Sequence, residues 1–200
     1  MEKKPYWVYL VSLLIFSSFI IIAYAVNVRD YVNDSIMMIV LSSLLFFGYH
    51  SFRLKPWIYL AVISAFAMHN LGVFGYYNIS PVAFQWDHIT HLFGEFAAGV
   101  LVYNYMHASG FFKSKKGMEK FNLIFLAIAA AVGFGVFVEF IEFIGYFAVG
   151  DGLGIFGHGI GDINTEFINN EWFNTMLDLI YNFIWSVIGL IFMRYVLKKF

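Results

Sequence analysis

The chain contains no cysteine, which excludes disulfides, thiolate metal sites and a cysteine nucleophile. Charge is scarce as well. Asp, Glu, Lys and Arg make up 12% of 200 residues, with a formal net charge of −1. So few cations cannot build the basic surface that phosphate backbones require, so nucleic acid is excluded as a partner. There are 3 prolines and no low-complexity linker or internal repeat, so residues 1–200 read as a single domain. Any chemistry falls to His, Asp and Glu.

Apolar residues are what the chain has in excess: 61% are hydrophobic and 22% aromatic. A soluble domain needs more polar surface than this, so the expected solvent is the bilayer. Runs long enough to cross the hydrocarbon core lie at 6–26, 35–52, 57–77, 87–108, 120–149 and 172–196. Backbone groups in lipid must pair within their own segment, so these runs are helices. The fold class is therefore an all-α polytopic membrane protein, a bundle of about six transmembrane helices. Lys3 and Lys4 precede a run ending in Ala23-Tyr24-Ala25, a loose match to a signal cleavage site. That run exceeds the ~7–15 residues of a signal h-region and is read as a retained span.

Orientation follows from the cations. In a six-span alternation, 11 of the 12 Lys and Arg residues fall on one side, and only Arg29 falls on the other. The expectation is a multi-pass protein of the cytoplasmic membrane with both termini inside. Trp86, Trp172, Tyr76 and Tyr77 gather at the outer boundary, and Trp57 and Phe200 near the inner one, as belt anchors. Spans one and two carry few intramembrane polar groups and read as a lipid-facing scaffold.

Polar residues in the other spans converge on one level. Asp87, His91, Glu95 and His88 fall at about 0°, 40°, 80° and 100° around span four, one stripe on an apolar helix. Span five carries Glu139 and Glu142 near its outer end, and span six carries Asn174, Asp178 and Asn182 on one stripe. His69 lies in the outer half of span three, and His158 and Asp162 in the glycine-rich outer loop. An intramembrane acid costs about 2.5–3.5 kcal/mol. Glu95, Glu139, Glu142 and Asp178 together therefore cost on the order of 10 kcal/mol unless they find partners. No Lys or Arg lies at their depth. Protonation, mutual hydrogen bonds, a charged histidine or a bound cation remain, and a divalent ion (Zn, Fe or Mn) is the simplest.

The candidate metal ligands are Asp87, His88, His91, Glu139, Glu142 and Asp178, with Glu95 as a general base. His69, His158, Asp162, Asn174 and Asn182 form a secondary polar set. Plainer readings exist for each group alone: Asp87 as a helix cap, Glu139 and Glu142 as a protonated pair, Asn174 and Asn182 as interhelical glue, the glycine-rich loop as a connection. His50 and His107 read as interfacial. The shared level is what those readings leave unexplained. Gly94, Ala98, Gly99, Ala127, Ala131, Gly133 and Gly135 would let helices approach closely.

Asp87-His88-Ile89-Thr90-His91-Leu92-Phe93-Gly94 resembles the D-x-x-x-H-F stretch of VanZ-like membrane proteins. It is closer to the YjdF-type inner-membrane family, whose E-x-x-E-[WF] segment is similar to Glu139-Phe140-Ile141-Glu142-Phe143. That family's G-D … D-T-x-x-D-[ML] run resembles Gly161-Asp162 followed by Asn174-Thr175-Met176-Leu177-Asp178-Leu179. The likeness covers roughly residues 80–190. Asn174 stands where the family often has Asp, and the segment between Asp162 and Asn174 is longer than in the pattern. The resemblance implies a membrane protein but supplies no reaction; VanZ-like proteins are linked to glycopeptide-antibiotic resistance.

Three functions stay open at this point. One is a metal-dependent hydrolase of a lipid or lipid-linked substrate, with membrane lipids as its surroundings. Another is a proton- or cation-coupled transporter, and the third a non-catalytic envelope factor. The sequence lacks H-E-x-x-H, and an inverted repeat that would favour transport is not visible.

Overall fold

The computed structural model describes residues 4–82, 84–149 and 170–199. Six α-helices and no strand occur among them: α1 (Tyr6–Ala25), α2 (Asp30–Phe47), α3 (Pro56–Asn70), α4 (Trp86–Ala108), α5 (Gly117–Val149) and α6 (Asn170–Lys199). A 3-10 turn, Leu71–Phe74, extends α3 and ends at Gly75, whose φ of 82° suits the residue without a Cβ. Pro56 opens α3 at its first turn, where its missing N–H removes no helical bond. Five of these elements are long and apolar enough to cross a membrane, namely α1, α2, α3 with its turn, α5 and α6. The chain is a polytopic membrane protein.

The sixth helix, α4, is the polar one and the centre of the bundle. It packs against α3, α5 and α6, burying Asp87, His91, Glu95 and Asn104 along with Ala97, Ala98 and Val100. A polar stripe surrounded by hydrocarbon can only be turned inward.

α4 and α6 run parallel in close register. His88 meets Asp178, His91 meets Asn182, Glu95 meets Ser186, and Gly99 faces Leu190. Steps of three and four on α4 match steps of four on α6. A slip of one turn, about 5.4 Å, would break every pairing. Interhelical hydrogen bonds in membranes average only about 0.6 kcal/mol, so these fix register more than they drive association. Close packing supplies the association: a Cβ on Gly99 would run into the Ser186 carbonyl oxygen, and one on Gly189 into that of Phe96. α5 runs antiparallel to both, with Glu139 level with His91 and Gly135 level with Glu95 and Asn182. Gly94 and Gly133, expected at helix contacts, would carry a Cβ into open space.

α1, α2 and α3 form the other half, with Tyr9 stacked on Phe46 at 4.3 Å between ring centroids. α2 begins at Asp30 rather than at residue 35. That earlier start draws Asp34 and Ser35 into the helix, both fully buried. The expected lipid-facing scaffold therefore has a polar interior.

Candidate functional site

Two turns of α4 place Asp87, His91 and Glu95 one above another, and the matched stripe of α6 brings Asp178, Asn182 and Ser186 opposite. Gly135 lets α5 approach where a side chain would collide with Asn182 and Glu95. Six polar side chains from α4 and α6 are thereby gathered along the first turns of α4, with α5 packed against them.

His91 is the pivot. Its Nδ1 lies 2.9 Å from Asn182 Oδ1, an acceptor to which a protonated Nδ1 would donate. In the neutral ring Nε2 is then a bare lone pair. It points between Asp87 Oδ1 at 3.6 Å and Glu139 Oε1 at 3.8 Å. Both separations are too long for hydrogen bonds. Two ligands bound at about 2.1 Å to one tetrahedral ion stand about 3.4 Å apart, close to the spacing seen here. Ligand atoms of Asp87, His91 and Asp178 lie within 4.8 Å of one another, and all three residues are buried. One imidazole and two carboxylates at this spacing are able to hold a divalent ion with bonds of about 2.0–2.4 Å.

Around this core the other groups take distinct places. His88, grouped with the ligands by its position on the stripe, sets its Nδ1 3.0 Å from Asp178 Oδ1 and stacks on Tyr181 at 4.7 Å. It orients a carboxylate rather than joining the triangle. Glu95 lies one turn deeper, where its Oε2 accepts a 2.5 Å hydrogen bond from Ser186. Glu142 does not join the triangle but lines a cleft of about 220 Å³ shared with Asp87, His91 and Glu95. Asn182 Nδ2 is buried without a hydrogen-bond partner.

His69 belongs to a different cluster. Its Nε2 is 2.9 Å from Asp34 Oδ2 and its Nδ1 2.7 Å from Tyr77 Oη. Ser35 donates to Asn70 Oδ1 at 2.7 Å. Tyr77 also reaches Thr90 at 3.5 Å, and Thr90 donates to the Asp87 carbonyl at 2.7 Å. Tyr77 is thus no belt anchor. Nor is Trp86, which is 6% exposed and donates to the Met68 carbonyl at 3.3 Å. An amphipathic ring turns inward when a helix end offers its polar edge a carbonyl oxygen.

His158 and Asp162 lie outside the described residues, and so does the side chain of Asn174. Sequence reasoning missed Asp34, Ser35, Tyr77 and Ser186. The only available signal was that Asp34 precedes Met38 and Ser42 by helical steps, and Ser186 continues the steps of four from Asp178.

No curated protein and no solved structure matches the chain. One family model does match, over residues 6–199, nearly the whole length. The chain belongs to that family, described as predicted membrane protein (DUF2238).

Proposed function

We propose that the protein is a metal-dependent membrane hydrolase acting on a lipid or lipid-linked substrate. The observation that carries this is His91 Nε2 facing two carboxylate oxygens at 3.6 and 3.8 Å. Like-signed acceptors held that far apart in a buried site need positive charge between them. Asp87, His91 and Asp178 would hold the ion, with Glu139 beside them. When bound, the ion supplies Lewis acidity toward a carbonyl or phosphoryl oxygen. Zn, Fe and Mn all accept such a donor set.

The chain's own residues do the rest. Asn182 fixes the His91 tautomer, and His88 fixes Asp178, as supporting partners do around metal sites. Glu95, held by Ser186, takes a proton from the attacking water and returns it to the leaving group. Apolar walls keep bulk water away. The basic residues place the N- and C-termini in the cytoplasm and this site near the opposite face of the cytoplasmic membrane.

The test is turnover in vesicles containing phospholipids and polyprenyl phosphates. Wild type should release a cleaved product that chelator abolishes, and Glu95→Gln should lose about 10²–10⁴-fold in rate. Metal-loaded protein without turnover on any of these lipids would set the hydrolase reading aside.

A second reading rests on the hydrogen-bonded series Asp34, His69, Tyr77 and Thr90, which leads toward the Asp87 turn. Such a series suits proton movement in a coupled transporter. Proton uptake by loaded vesicles, absent in His69→Leu, would favour it.

A further inference from the structure

The cleft beside the candidate metal site has two kinds of wall. On one side it is polar, with Asp87, His91 and Glu95 on α4 and Glu142 on α5; on the other it is mainly apolar, with Met37, Met38 and Leu41 on α2 and Phe66 beside His69 on α3. Val138 and Ile141 of α5 complete it. α5 packs on α4 and α6 but not closely on α2 or α3, which leaves a gap between α2 and α5 beside the cleft.

Gly94 explains how the space is kept. It sits mid-helix on α4, where glycine weakens a helix, yet a Cβ there would meet nothing within 4 Å. Gly99 on the same helix is needed for contact with α6, whereas Gly94 makes no helix contact and lines the cleft instead. The cavity it leaves is about 220 Å³, below the roughly 300–1,000 Å³ of pockets that enclose a whole ligand. It fits one chain and part of a head group, with the remainder left in the bilayer. Its polar end offers imidazole and carboxyl groups to a polar head.

We infer that the cleft between α2 and α5 admits, laterally from the bilayer, a single acyl or prenyl chain of an amphiphile whose head carries an ester or phosphate oxygen, presenting that head to the site. The inference rests on the hydrolase reading for its purpose; an uncharged ester end can bind without a metal, whereas a phosphate beside Asp87, Glu95 and Glu142 needs a cation to offset the like charge. Met37 and Met38 suit an irregular chain because their unbranched thioethers adapt in shape. An outer groove between α5 and α6, lined by Phe125, Val132, Phe137 and Phe183, is larger and wholly apolar. It has no polar end and serves as the control for lipid that merely coats the protein.

The experiment uses the full chain in phosphatidylglycerol vesicles carrying a phospholipid with a diazirine on one acyl chain, with cross-links mapped by peptide mass spectrometry. The same mapping is repeated with a diazirine prenyl phosphate. At least one probe should label the Met37–Leu41 and Phe66 peptides in preference to the Phe125–Phe137 peptide. Gly94→Leu, which fills the cleft without a backbone collision, should cut labelling of Phe66 by about tenfold or more, the scale on which a pocket responds to a few methylenes. Val138→Trp fills the same space from the facing helix and should do likewise. Equal labelling of cleft and outer groove, or labelling of Phe66 that survives both substitutions in folded protein, would overturn the inference. Metal content is measured on the same samples. Cleft labelling in a metal-free wild type would keep the chain site and defeat the hydrolase reading; metal without cleft labelling would do the reverse.

Discussion

The two halves of the bundle each bury a histidine among carboxylate and amide groups, and they do so at different spacings. Around His69 the polar contacts are of hydrogen-bond length: 2.9 Å to Asp34 and 2.7 Å to Tyr77, with Ser35 and Asn70 at 2.7 Å from each other alongside. Both ring nitrogens are occupied. Around His91 one nitrogen is equally well bonded, at 2.9 Å to Asn182, while the other faces oxygens at 3.6 and 3.8 Å. The same residue types therefore satisfy one another in the first cluster and leave room for an ion in the second. Spacing, not composition, separates a polar joint between helices from a candidate reaction site.

The largest effect should come from removing a ligand of the open cluster. His91→Ala or Asp178→Ala should weaken divalent-metal affinity more than about 100-fold in chelator-competition titrations, beyond the loss seen for supporting residues. His69→Ala should leave that affinity unchanged. If the two histidines behaved alike, the contrast between the clusters would fail.

Next in size is the support for His91. Asn182→Leu removes the acceptor that holds Nδ1–H, and metal should bind about 10–100-fold more weakly. Asn182→Asp keeps an acceptor and should stay nearer to wild type. A Leu variant with unaltered affinity would mean that the ring needs no orienting partner.

Packing effects follow. Gly189→Ala should destabilise the α4–α6 pair by about 1–3 kcal/mol through overpacking, read as a lowered unfolding midpoint in detergent. Gly133→Ala, with open space around it, should be neutral or stabilising by up to about 1 kcal/mol from helix propensity alone. In the closed cluster Ser35→Ala should cost about 0.5–1.5 kcal/mol by removing its bond to Asn70, with no change in metal binding.

How much of this was legible beforehand depends on the kind of signal. The stripe of Asp87, His91 and Glu95 follows from 100° steps, and its match with Asp178 and Asn182 follows from their shared depth. Ser186 continues the steps of four from Asp178 but gives a weaker sign, because a lone serine in an apolar helix reads as filler until a carboxylate is seen against it. Asp34 was hidden for a different reason. With Arg29 and Asp30 it looks like the rim of an aqueous loop, and only burial against His69 makes it part of the interior. His88 and His91 sit on one stripe and could not be ranked by angle; a few ångströms of reach put one beside the triangle and the other in it. Trp86 and Tyr77 have the composition of a belt, and composition does not say which way a ring turns.

The central claim is that positive charge fills the space before His91 Nε2, and elemental mass spectrometry of protein purified without chelator tests it most directly. The account predicts stoichiometric Zn, Fe or Mn in wild type, absent from a folded Asp87/His91 double-alanine variant and retained in His69→Ala. A folded wild type that carries no divalent metal and takes none up on addition would contradict it, leaving His91 to be held by a proton.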